Sequence, residues 1–227
     1  MSSRDKILSA VAASQPRLSL LPDLDILKGG EINVVEKFTE VLTAIGGKVI
    51  NIARLDEVTA YIEMNTAAGQ RVVNLLSDSL GMRAPQADIK DLPHTLDNIE
   101  LAVLQADMGI AENGAIWLNE NRLGQRVTPF ICQHLVVIMD KSNIVPTMHH
   151  AYEKIGDEKY GFATFIAGPS KTADIEQSLV LGAHGSRSMT VFLRIFKQAE
   201  LVKLFQNYLA KTKVAIILTL VYMSVFC

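Results

Sequence analysis

Apolar positions along the chain switch repeatedly between a helical and an extended rhythm. Over residues 31–45, Val34, Val35, Phe38, Val41, Leu42 and Ile45 recur at helical spacing, the stripe of a helix that buries one side, and the Gly46-Gly47 pair ends it. Residues 48–53 then read as a short strand, 55–65 as a helix and 71–76 as a second strand. Further strands are predicted over 100–105, at Ile110, and over 115–118, 135–139, 162–167 and 189–193, with helices at 122–128, 146–155 and 173–181. Strands alternating with helices in this way predict an α/β fold with a mostly parallel sheet and helices on its faces.

The flanks follow other patterns. The first residues carry a short helical pattern with Ile7, Leu8 and Val11 on one side, and residues 16–22 read as a linker. Residues 78–95, with Pro85 and Pro93 and no clear period, read as an irregular surface connection. The predicted division is an N-terminal helix and linker over 1–30, an α/β domain over 31–196 and a tail over 197–227. Within the tail, 199–209 fits an amphipathic helix, and 214–227 is apolar except for Thr219, Tyr222 and Ser224. That stretch is shorter than the roughly 20 apolar residues a membrane span needs. The tail is therefore expected to pack on the core, to meet a partner or to be an atypical chain end, with a membrane anchor disfavoured.

Charge and cysteine usage narrow the function classes. Lys plus Arg total 22 against 24 Asp plus Glu, so no positive excess is available for a phosphate backbone and nucleic acid is not an expected partner. Cys132 and Cys227 are the only cysteines, which speaks against a disulfide framework and for a reducing compartment. Iron-sulfur clusters typically take about four thiolates each, so no such cluster is expected on this chain. The opening residues lack the apolar core and cleavage pattern of a signal peptide, and a cytoplasmic protein is expected. His149 and His150 point about 100° apart on a helix, while His94 and His134 are isolated in sequence, so no metal site is predicted.

Candidate chemistry gathers at two places. The loop Gly168-Pro169-Ser170-Lys171-Thr172, followed by Asp174, opens the predicted helix 173–181. Unpaired N–H groups at a helix N-terminus, with Lys171 and the hydroxyls of Ser170 and Thr172, suit an anion or carboxylate; equally, Thr172 suits an N-cap and Asp174 the first turn. A helix over 173–181 would be about 13 Å long, so Ser170 and His184 of one chain are not expected to meet as nucleophile and base, and His184 reads as a turn residue or a base. At the second place, Glu112 precedes Asn113-Gly114, a strong hairpin signal between apolar runs. Taken by itself, Glu112 reads as a solvated turn residue.

The run GPSKTADIEQSLVLGAHG at 168–185, preceded by DMGIAENGAIWL at 107–118, the strand-like residues 134–139 and Asn143-Ile144-Val145-Pro146, resembles the LUD-domain family in order and spacing. The resemblance runs from about residue 30 to Leu193, with Ser186 standing where the family usually has proline. It implies a three-layer α/β/α fold of the NagB/RpiA/CoA-transferase-like type. It also implies a cytoplasmic, non-redox subunit of an iron-sulfur lactate oxidation system that converts lactate to pyruvate, with the clusters on partner proteins. Two other readings stay open. One, implied by the likeness to CoA-transferase-like folds, is a stand-alone CoA-transferase-like or cyclo-ligase-like enzyme that uses Glu112 as a carboxylate nucleophile or ligand and binds a phosphate or carboxylate at Gly168, Ser170, Lys171, Thr172, Asp174 and His184. The other is a structural adaptor acting through its apolar tail. A homo-oligomer is compatible with each.

Overall fold

Five parallel strands form the centre of the structure, a computed structural model that describes residues 2–17, 19, 22–23, 25, 32–76, 93–175 and 178–195. These strands are β1 (Lys48–Asn51), β2 (Arg71–Asn74), β3 (Ile99–Gln105), β6 (His134–Asp140) and β11 (Ser188–Arg194), ordered β1-β11-β6-β3-β2. The three middle strands are almost continuous apolar runs because both faces of the sheet are covered. Alternation divides their side chains. Leu135, Val137 and Met139 join a core with Phe38 and Leu42 of helix α2 (Val34–Ala44). Val136 and Ile138 pack on the opposite side with Phe192 and with Val58 of helix α3 (Asp56–Asn65). The result is the expected three-layer α/β/α arrangement.

Local chemistry sets the helix limits. The Asn33 side chain accepts from the Glu36 N–H at 3.2 Å and caps α2, while Gly46, at φ +92°, turns the chain back toward β1. Helix α3 is capped from inside: Glu57 Oε1 accepts the N–H groups of Ala53 and Arg54 at 2.9 and 2.8 Å. Helix α1 (Ser3–Ala13) begins with a capping box between Ser2 and Asp5 but buries none of its residues, so the Ile7, Leu8 and Val11 side faces solvent.

A second sheet of four strands grows from the carboxyl ends of β3 and β6. It contains β4 (Met108–Ile110), β5 (Ile116–Asn119), β7 (Ile144–Val145) and β8 (Ala163–Ile166), ordered β7-β4-β5-β8. Its outer side packs against helix α5 (Met148–Ile155) through Ile110, Trp117 and Ala151. Rings of Trp117 and Phe165 lie 4.4 Å apart, and Tyr152 and Tyr160 add edge contacts.

Two predicted helices take other forms. Residues 122–128 are mostly turn, with a 3-10 turn at Glu120–Arg122 before them and the short helix α4 (Thr128–Ile131) after, because Gly124 at φ +64° interrupts helical geometry. Residues 173–181 belong to an antiparallel hairpin of β9 (Lys171–Ile175) and β10 (Ser178–Leu181), with Thr172 opposite Val180 and Lys171 opposite Leu181. β-branched Thr172, Ile175 and Val180 favour the extended form, and pairing along the hairpin overrides the helix-start pattern of Thr172 and Asp174. Of the irregular connection, Pro93–Leu96 is a 3-10 turn, while residues 78–92 and the tail 197–227 lie outside the described residues.

Candidate functional site

The Gly168 loop docks on the carboxyl end of α2. At φ +73°, a side-chain carbon on Gly168 would lie 3.1 Å from Ile45 Cγ1 and 3.2 Å from the Ile45 carbonyl oxygen, so glycine permits the contact. Lys171 Nζ donates a hydrogen bond to that same carbonyl, at the C-cap of α2. The loop thus faces the negative end of one helix, whereas the sequence predicted the positive end of another. With no helix at 173–181, Thr172 is not an N-cap and Asp174 is not in a first turn; both lie on β9.

The hairpin also overturns the expected separation of Ser170 from the His184 turn. The Ser170 N–H donates to the Ser186 carbonyl at 2.9 Å, and the Ser170 carbonyl accepts from the Gly182 N–H at 3.1 Å. Gly185 is so close that a side-chain carbon there would sit 3.1 Å from Ser170 Cβ. A helix would have carried the chain away from Ser170, while the antiparallel ribbon returns it. His184 itself is exposed, and its ring makes no hydrogen bond to the Ser170 hydroxyl.

Glu112 occupies the predicted hairpin turn, between β4 and β5. The N–H groups of Ala111 and Glu112 donate to the carbonyls of Val145 and Pro146 at 2.9 and 3.0 Å, and Asn113 Oδ1 accepts from the Ala115 N–H at 3.0 Å. Behind the turn, a side-chain carbon on Gly114 would be 3.0 Å from both Cα and N of Leu42. The Glu112 turn and the Gly168 loop therefore rest on neighbouring positions of one helix, Leu42 and Ile45. The Glu112 side chain is exposed, and among the described residues no ion pair joins it to Lys171.

A further constellation escaped the sequence. At the amino ends of three neighbouring strands, Ser188 Oγ lies 2.7 Å from His134 Nδ1, and His134 Nε2 lies 3.6 Å from Glu100 Oε1. The parallel register places His134 opposite Ser188 on one side and Leu101 on the other. His134, isolated in sequence, is thus flanked by a hydroxyl and a carboxylate. The signal that could have found it is the strand order, because each residue begins or nearly begins an apolar run.

Cys132 is buried, with Sγ 3.8 Å from the Pro129 carbonyl, and desolvation pushes its thiol up to about 12. Such a thiol stays protonated at neutral pH and is a poor metal ligand. Among the described residues, no group of three or more His, Cys, Asp or Glu side chains is placed to hold a metal ion.

The sequence profile of a family described as LUD domain matches residues 70–193, which enclose Glu100, Glu112, His134, the Gly168 loop, His184 and Ser188. Lactate utilization protein C of Oceanobacillus iheyensis is 26% identical over 223 aligned residues, covering 82% of this chain and 96% of that protein. The protein of the same name from a Geobacillus species is 27% identical over 200 residues, covering 83% of this chain and 78% of its own length. A shorter match, 36% identical over 101 residues, joins 39% of this chain to 42% of lactate utilization protein C from Bacillus pumilus. Among solved structures, a DUF162 family protein from Deinococcus radiodurans superposes with a TM-score of 0.54 at 16% identity, over 71% of this chain and 96% of that one. At that identity the likeness is one of fold.

Proposed function

Since this chain belongs to the LUD-domain family, we propose that it serves lactate utilisation as a non-redox subunit of a system that oxidises lactate to pyruvate through iron-sulfur partner proteins. The observation that carries the reading is the similarity to proteins named lactate utilization protein C along most of the chain. Oxidation of lactate to pyruvate releases two electrons and two protons, which need an acceptor. The residues of this chain do not fit an iron-sulfur cluster: only Cys132 and Cys227 could supply thiolates, and Cys132 is buried as a neutral thiol. The electrons therefore pass through partners, and this subunit supplies a binding or assembly surface. The proposed setting is the cytoplasm, where a free buried thiol is at home. Among the described residues, no helix is long and apolar enough to cross a membrane.

A second reading, a stand-alone enzyme with Glu112 as reacting group, draws on the docking of the Glu112 turn and the Gly168 loop along one helix. Against it, the Lys171 charge is engaged at the end of α2. Deletion of the gene in its host separates the two. The lactate reading predicts loss of growth on lactate with normal growth on glucose, restored equally by the wild-type chain and by Glu112→Gln. Restoration by wild type but not by Glu112→Gln would favour the enzyme reading, and unchanged growth on lactate would refute the first.

A further inference from the structure

We propose that Ser188, His134 and Glu100 form a nucleophilic serine site that accepts acyl groups from activated esters or thioesters. The proposal is independent of the lactate reading and rests on geometry. Glu100 Oε1 lies 3.6 Å from Nε2, longer than a hydrogen bond but near enough for the carboxylate charge to favour the tautomer that carries the proton on Nε2. That tautomer leaves the Nδ1 lone pair facing Ser188 Oγ at 2.7 Å, within reach for proton abstraction from the hydroxyl. Nucleophile and base thus face each other in parallel register across β11 and β6, and Glu100 stands on β3 one residue before Leu101, the partner of His134. The array is reachable: the side chains of His134 and Glu100 are 40% and 29% exposed.

The β9–β10 hairpin braces the same place. It ends in the turn that meets Ser170, and the Ser186 carbonyl, which holds the Ser170 N–H at 2.9 Å, lies two residues before Ser188. Ser186 is only 4% exposed, so this turn fixes the start of β11 from which Ser188 projects.

In the reaction, Ser188 Oγ attacks the acyl carbon as its proton passes to His134 Nδ1. The bond from the acyl carbon to the leaving oxygen or sulfur breaks, and the leaving group takes the proton from His134. Water, deprotonated by the same nitrogen, then releases the acid and restores Ser188. Glu100 is a positioning residue that acts through the ring.

The test uses the full chain, a fluorophosphonate probe and p-nitrophenyl acetate. The expected result is one adduct per chain, mapped to Ser188 by peptide mass spectrometry and forming at least 100-fold faster than in urea-unfolded protein. Ser188→Ala abolishes it, and His134→Gln slows it by about 100-fold or more. Glu100→Gln offers an amide donor to Nε2, so the 15N spectrum of His134 moves toward the other tautomer while labelling slows about tenfold. A purely structural Glu100 would leave that spectrum unchanged. Adduct formation no faster than in unfolded protein, or an adduct on another serine, overturns the proposal. If Ser188→Ala fails to fold by circular dichroism, mapping of the wild-type adduct decides.

Discussion

Gly114→Ala tests whether the Glu112 turn is held against α2. Two costs apply. At φ +68° an L side chain loses about 1–2 kcal/mol relative to glycine. The added carbon would also lie 3.0 Å from Leu42 Cα and N, backbone atoms in the interior of a helix that cannot rotate aside. Overpacking of this kind costs about 1–3 kcal/mol. Gly69→Ala supplies the control, because Gly69 has φ +90° but nothing lies within 4 Å of a side-chain carbon added there. The reduced entropy of the unfolded chain returns about 0.4–1 kcal/mol in both variants. Gly69→Ala should therefore lose about 1 kcal/mol and Gly114→Ala about 2–4 kcal/mol, read from equilibrium urea unfolding by circular dichroism with unchanged m values. Equal losses in the two variants would refute the docking of the turn on the helix.

Lys171→Met removes a cation from the carboxyl end of α2, and a loss of about 0.3–1 kcal/mol is expected, shrinking in high salt. Stability that is unchanged, or that rises, would contradict the capping role. At Cys132, native protein should resist iodoacetamide at pH 8 and become labelled on unfolding, checked by peptide mass spectrometry; rapid native labelling would contradict burial of the thiol. Its folded-state value of about 12 lies above the ordinary thiol range, so from about pH 9 upward the unfolded chain releases a proton that the folded chain keeps. The thiol's contribution is fully present below that range and falls by about 1.4 kcal/mol per pH unit as pH rises toward 12. Urea unfolding at pH 8, 9 and 10 should show the stability of wild type falling relative to Cys132→Ala by about 1.4 kcal/mol over the whole interval, most of it between pH 9 and 10.

The central sheet was legible because burial on both faces leaves a plain record. Residues 100–105, 135–139 and 189–193 read as strands for the same reason that they form β3, β6 and β11. The Asn113-Gly114 turn was legible from its own chemistry. The β9–β10 ribbon was not, since among the described residues its strands pair only with each other and no sheet face imposed a clean alternation on them. Thr172 and Asp174 then resemble a helix start, and a helix there would set Ser170 apart from the His184 turn. Lys171 meets Ile45 from across most of the chain, and no local pattern encodes such a contact. The same holds for Glu100, His134 and Ser188, which become neighbours only through the strand order β3-β6-β11.

The most direct test of the lactate role is lactate-dependent dye reduction under anaerobic conditions. It is measured on the complex recovered from the host with a tagged copy of this chain, and on the same iron-sulfur proteins prepared without it. The account predicts co-purifying iron and lactate-dependent reduction that falls at least tenfold when this subunit is omitted and returns when it is added back. Recovery of the chain without iron-bearing partners, or equal dye reduction with and without it, would contradict the account.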